Sequence, residues 1–66
     1  MNVIVNGVSR EVAAGETLST LVAALQLADQ RIAIEVNAEI VPRSRYATHR
    51  LNVGDRVEVV TAIGGG

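Results

Sequence analysis

The sequence predicts a two-layer α+β domain in which one helix lies across a mixed sheet of four to five strands. Three observations predict it. Short runs of alternating apolar and polar residues occur near both ends of the chain, a single intervening segment repeats its apolar residues at helical spacing, and turn signals separate these segments closely. The chain has 66 residues, which leaves room for one small domain near the lower limit for folding without metals or disulfides.

Val3, Val5, Val8 and Val12 surround the dipeptide Asn6-Gly7. Asn-Gly between two β-branched runs is the strongest short signal for a two-residue hairpin turn, so residues 2–12 are expected to form the first hairpin. Ala13-Ala14-Gly15-Glu16 interrupts the pattern, and Thr17 then stands as an N-cap before Leu18, Leu21, Val22 and Leu25. The helix is expected over about residues 18–27, with Glu16 complementing its dipole.

Ile32, Ile34 and Val36 alternate with Ala33 and Glu35, the pattern of a strand buried on one face. Asn37-Ala38-Glu39 reads as a turn and Ile40-Val41 as a short edge strand, which Pro42 ends because it has no backbone donor. Residues 43–50 read as a polar loop or a single helical turn. After the turn at Gly54-Asp55, the alternation Arg56-Val57-Glu58-Val59 starts the last strand, and Val60, Thr61, Ala62 and Ile63 complete it. Val59-Val60 breaks strict alternation, so one of the two valines is expected to point outward. If this strand pairs with the first, the chain leaves the sheet from its centre.

Composition narrows the function. The chain has no cysteine, hence no disulfide framework, thiolate nucleophile or Cys-based zinc site, and its one histidine, His49, has no partner for metal binding or nucleophile activation. His49 therefore reads as a surface residue. All six basic residues are arginine and the formal net charge is −1, which gives little attraction to nucleic acid or anionic lipid. Tyr46, the one aromatic residue, offers no stacking platform and reads as a cover for one edge of the core. Arg43, Arg45, His49 and Arg50 share one polar segment that reads as a solvated loop, with docking to an acidic partner or contact with phosphate as the sharper possibilities. Apolar stretches of a few residues predict neither a signal peptide nor a membrane segment, and the absence of cysteine fits a cytoplasmic chain. No nucleophile–base pair is evident, which argues against an enzyme.

The most informative feature is the end of the sequence, Ile63-Gly64-Gly65-Gly66. Glycine cannot pack or brace, but its missing Cβ lets another molecule come close. Such a segment suits a carboxylate presented to a partner's active site; its plainer reading is a frayed end. A phosphate cradle is excluded, because no helix follows the glycines. The expected division is a domain over residues 1–63 and a flexible tail over residues 64–66.

The tail, the element order and the segments Ile40-Val41-Pro42-Arg43, Leu51, Gly54-Asp55, Val57-Glu58-Val59-Val60 and Ile63-Gly64-Gly65-Gly66 together resemble the thiamine-biosynthesis sulfur carrier (ThiS) family of ubiquitin-like β-grasp proteins. The resemblance covers essentially the whole chain. It implies a β-grasp fold and a carrier acted on by partner enzymes, with no stably bound cofactor. An E1-like adenylating enzyme would use ATP and magnesium to activate the Gly66 carboxylate, which is ionised at neutral pH and a poor electrophile. Sulfur from a cysteine persulfide, ultimately from a cysteine desulfurase, would displace AMP to leave a thiocarboxylate, which would supply thiazole synthase.

In this reading Gly64 and Gly65 thread narrow active sites, and Val60, Ile63 and Arg43 are candidates for partner docking. Two alternatives stand beside it: a sulfur carrier for another pathway, such as molybdopterin synthesis, and a noncatalytic ubiquitin-like interaction module. The absence of lysine argues against ubiquitin itself, since isopeptide-linked chains need a side-chain amine.

Overall fold

The computed structural model describes residues 1–61. Its elements are β1 (Asn2–Val5), β2 (Val8–Glu11), α1 (Leu18–Ala24), β3 (Ile32–Val36), β4 (Glu39–Val41), a 3-10 turn (Arg43–Arg45) and β5 (Arg56–Thr61). The strands form a five-stranded sheet in the order β2-β1-β5-β3-β4. β1 and β5 run parallel at its centre, and the other neighbours are antiparallel. The last strand thus pairs with the first, as the sequence suggests. The expected boundary at residues 63 and 64 lies outside the described residues.

Alternation builds the core. Val3 and Val5 of β1, Ile34 and Val36 of β3, and Val57 and Val59 of β5 turn inward onto Leu18, Leu21 and Val22 of α1, joined by Val12, Val41, Tyr46 and Leu51. Tyr46 is a full member of this core. Its carbonyl also accepts from the Ser19 amide at 3.0 Å, and the His49 carbonyl accepts from the Leu18 amide at 3.0 Å, so the loop after the 3-10 turn satisfies amides at the start of α1 that have no partner inside the helix. Thr17 is the N-cap, its Oγ1 accepting from the Thr20 amide at 3.3 Å. Glu16 takes a different role from the one expected: its carboxylate accepts from the Ala13 amide at 3.2 Å, outside the first turn of α1.

α1 is shorter than its periodicity suggests. It stops at Ala24 with Leu25 as C-cap, and Gln26 takes a left-handed φ of 62°. The Leu27 amide then donates to Val22 and the Gln26 amide to Ala23, both at 3.0 Å. This pair of bonds is the Schellman motif, usually carried by glycine. With glutamine in that position, the sequence carries no stop signal.

The turn between β3 and β4 is also tighter than expected. Glu39 belongs to β4 and pairs with Val36, which leaves Asn37 and Ala38 as a two-residue turn with φ of 52° and 70°. Asparagine tolerates this region; alanine is strained in it. Ala38→Gly is expected to stabilise the domain by about 1 kcal/mol, raising the melting temperature by roughly 4–8 °C; a thermal melt followed by circular dichroism checks it.

Candidate functional site

β5 is flanked by β1 and β3 and leads into the glycine-ended segment. Two asparagines hold it. Backbone pairing of β1 with β5 runs as far as Val5 and Val57. Beyond it the Asn6 side chain takes over, Nδ2 donating to the Val59 carbonyl at 3.1 Å and Oδ1 accepting from the Val59 amide at 2.7 Å. At the start of the strand, the Arg56 amide donates to Asn37 Oδ1 at 3.0 Å, Asn37 Nδ2 donates to Asp55 Oδ1 at 3.0 Å, and the Asn52 amide donates to Asp55 Oδ2 at 2.8 Å.

Both asparagines occupy the first position of a hairpin turn with positive φ, and sequence reasoning credits them with that role alone. The missed signal is chemical. In each case the side chain uses a donor and an acceptor together, which asparagine offers and aspartate does not.

Of the residues expected to dock partners, Val60 is 64% exposed while Val59 is 9% exposed, so Val60 is the outward valine. It lies opposite Ala33 on β3, one residue before Thr61. Arg43 has an architectural use: its guanidinium donates to the carbonyls of Gln30 at 2.7 Å and Ala28 at 3.5 Å and lies 5.7 Å from the centre of the Tyr46 ring. It thereby ties the loop after α1 to the 3-10 turn. Ile63, Gly64, Gly65 and Gly66 lie outside the described residues.

The polar segment does not gather into one basic patch. Arg50 donates to the Gly15 carbonyl at 2.9 Å, so both it and Arg43 bind backbone carbonyls, which leaves Arg45 as the arginine facing a cleft of about 520 Å³ with His49, Asn52 and Asp55. His49 is half-buried there. A second groove, of about 430 Å³, runs beside the end of β5 between Val8, Leu25, Leu27, Val59 and Thr61. Among the described residues no three His, Asp or Glu side chains come close enough to hold a metal ion, and no helix is long and apolar enough to cross a membrane.

A mixed five-stranded sheet with parallel central strands and one helix across one face defines a β-grasp domain. Comparison with known proteins narrows this class. The model of the ThiS family matches residues 3–66. The chain is 41% identical over 66 residues to a thiazole synthase from Paramagnetospirillum magneticum, of which it spans 20% of the length. It is 32% identical to the sulfur carrier protein ThiS of Escherichia coli K12, with all of both chains covered. The crystal structure of the thiamine biosynthesis protein ThiS from Geobacter metallireducens superposes with a TM-score of 0.84 at 32% identity over all of both chains. The chain belongs to the ThiS family.

Proposed function

We propose that this chain is a sulfur carrier for assembly of the thiamine thiazole ring, with Gly66 as the carrying residue. The observation that supports this reading most is the extent of the likeness: the family model runs from residue 3 through the last glycine, and the Escherichia coli carrier aligns over its full length. The domain supplies a recognition surface and a central strand that leads into the glycines; the partners supply catalysis.

The carboxylate of Gly66 attacks the α-phosphorus of ATP on an E1-like enzyme that also holds the magnesium, releasing pyrophosphate and forming an acyl adenylate. The terminal sulfur of a persulfide, charged by a cysteine desulfurase, attacks the acyl carbon and expels AMP. A second thiol then cleaves the resulting acyl disulfide, giving the thiocarboxylate and a disulfide on the partner. The thiocarboxylate passes its sulfur to thiazole synthase, a partnership in keeping with the thiazole synthase that matches all 66 residues of this chain. Gly64 and Gly65 carry no Cβ and so let the reacting carboxyl enter a narrow site. Arg43 and Val60 are docking candidates on the domain, together with Ile63.

The test is incubation with ATP, magnesium, the adenylating enzyme and a sulfur source, then thiol alkylation and mass spectrometry. An ATP- and sulfur-dependent adduct at Gly66 is expected, unambiguous because the chain has no cysteine, and Gly66 deletion is expected to abolish it. The chemistry requires Gly66 to be the last residue of the mature chain, and the intact mass measures that as well. No adduct with enzymes that convert a control carrier overturns the reading in favour of a passive module. Rescue of a carrier-deficient strain without added thiamine separates this pathway from molybdopterin synthesis.

A further inference from the structure

Asn6-Gly7 is the one place in the sequence where glycine follows asparagine; Asn2, Asn37 and Asn52 are followed by valine, alanine and valine. The backbone nitrogen after an asparagine can attack the side-chain amide carbon and close a five-membered ring, and a Cβ on that next residue crowds the nitrogen. Glycine removes the crowding. Asn6 and Gly7 are both exposed, so water reaches the pair, and among the described residues the Gly7 amide has no acceptor. The nucleophile is free.

The electrophile is held. The Asn6 backbone amide donates to the Val57 carbonyl at 2.9 Å, and Val59 takes both polar side-chain atoms, Oδ1 at 2.7 Å and Nδ2 at 3.1 Å. The side chain thus serves β5 as a further stretch of β1 would. With both atoms tied to Val59, Cγ cannot swing onto the Gly7 nitrogen until the two bonds open. Val59 lies two residues before Thr61, where β5 ends, and the ends of elements open more readily than a whole domain. Opening of this end of β5 is therefore the step that exposes Asn6 to attack.

We propose that Asn6 is a site of spontaneous deamidation gated by β5, and that its conversion unties the strand leading into the glycine-ended segment. The Gly7 nitrogen gives its proton to solvent and bonds to Cγ of Asn6. The Cγ–Nδ2 bond breaks, solvent returns a proton to the departing nitrogen, and ammonia leaves. Water then opens the cyclic imide at either carbonyl, giving aspartate or isoaspartate at position 6. Neither product has Nδ2, so the Val59 carbonyl loses its donor and faces a carboxylate. The two differ at the turn. Asp-Gly suits a two-residue hairpin as Asn-Gly does, whereas isoaspartate routes the backbone through the side chain, adds one atom to the turn and disturbs the pairing of Val5 with Val8. This inference stands apart from the carrier reading, because it concerns only how the last strand is held.

The test incubates the wild-type chain in mildly alkaline buffer, folded and in denaturing guanidinium chloride, and follows amide-to-carboxylate conversion at each asparagine by peptide mass spectrometry. In denaturant Asn6 is expected to convert faster than Asn2, Asn37 and Asn52. In the folded protein its conversion is expected to be slower by about tenfold or more, the effect of two hydrogen bonds. Val60→Gly loosens the end of β5 at an exposed position; it is expected to speed conversion in the folded protein by roughly two- to fivefold and to leave the rate in denaturant unchanged. In the converted protein, separated by its added negative charge, the Val59 amide is expected to exchange with deuterium about tenfold faster. Conversion of Asn6 in denaturant no faster than that of the other asparagines overturns the site. Equal folded and unfolded rates, or a folded rate that Val60→Gly does not move, overturn the gating, and unchanged exchange at Val59 overturns the untying.

Discussion

Leu21→Ala is expected to leave the domain only partly folded. Leu21 is fully buried, at 0% exposure, between α1 and the sheet. Its truncation removes three carbon atoms from the centre of a small core and leaves a cavity that surrounding strands, tied in register on both sides, are poorly able to fill. A buried Leu→Ala change costs about 3–5 kcal/mol. Domains of this size are stable by only roughly 0.05–0.15 kcal/mol per residue, or about 3–10 kcal/mol in total, so the loss is a large share of what holds the fold. The measurement is urea denaturation, with the midpoint shifted strongly downward and the slope unchanged. Leu21→Met, which conserves volume, is expected to cost less than about 1.5 kcal/mol. Equal losses in the two variants would sink the cavity argument.

Asp55→Asn is expected to destabilise nearly as much as Asp55→Ala, although it keeps the shape of the side chain. Asp55 is 7% exposed and each of its oxygens receives one donor, Asn37 Nδ2 on Oδ1 and the Asn52 amide on Oδ2. The network needs an acceptor in both places. An asparagine at position 55 puts its own NH2 against one of those donors, and Asn37 is not free to flip, because its Oδ1 already accepts from the Arg56 amide. Each buried group left without its partner costs about 1–3 kcal/mol, so a loss of about 2–3 kcal/mol is expected for both variants in the same denaturation assay. A wild-type midpoint for Asp55→Asn would show that the turn supplies the stability and the carboxylate does not.

Much of the fold is legible in local pattern. Asn6-Gly7 between valine runs announces the first hairpin, Thr17 announces the start of α1, and alternation in Ile32–Val36 and Arg56–Thr61 separates inward from outward residues. These signals are readable because each depends on residues a few positions apart. The end of α1 is not, since Gln26 adopts the left-handed conformation that glycine normally marks. Glu39 likewise joins a strand and not a turn, because the Asn37-Ala38 turn tolerates a strained alanine where a longer loop would be the easier local choice.

The candidate site divides along the same line. Composition alone excludes cysteine chemistry and singles out the glycine-ended segment, and the break in alternation at Val59-Val60 announces an outward valine. Tertiary structure decides the rest. It turns Asn6 onto Val59 across 53 positions of sequence, links Asn37 to Asp55, and commits Arg43 and Arg50 to backbone carbonyls. None of these pairings has a local signature. They arise from the register between strands that are distant in the chain, and that register is set by burying one face of each strand against α1, a condition that only the assembled sheet imposes.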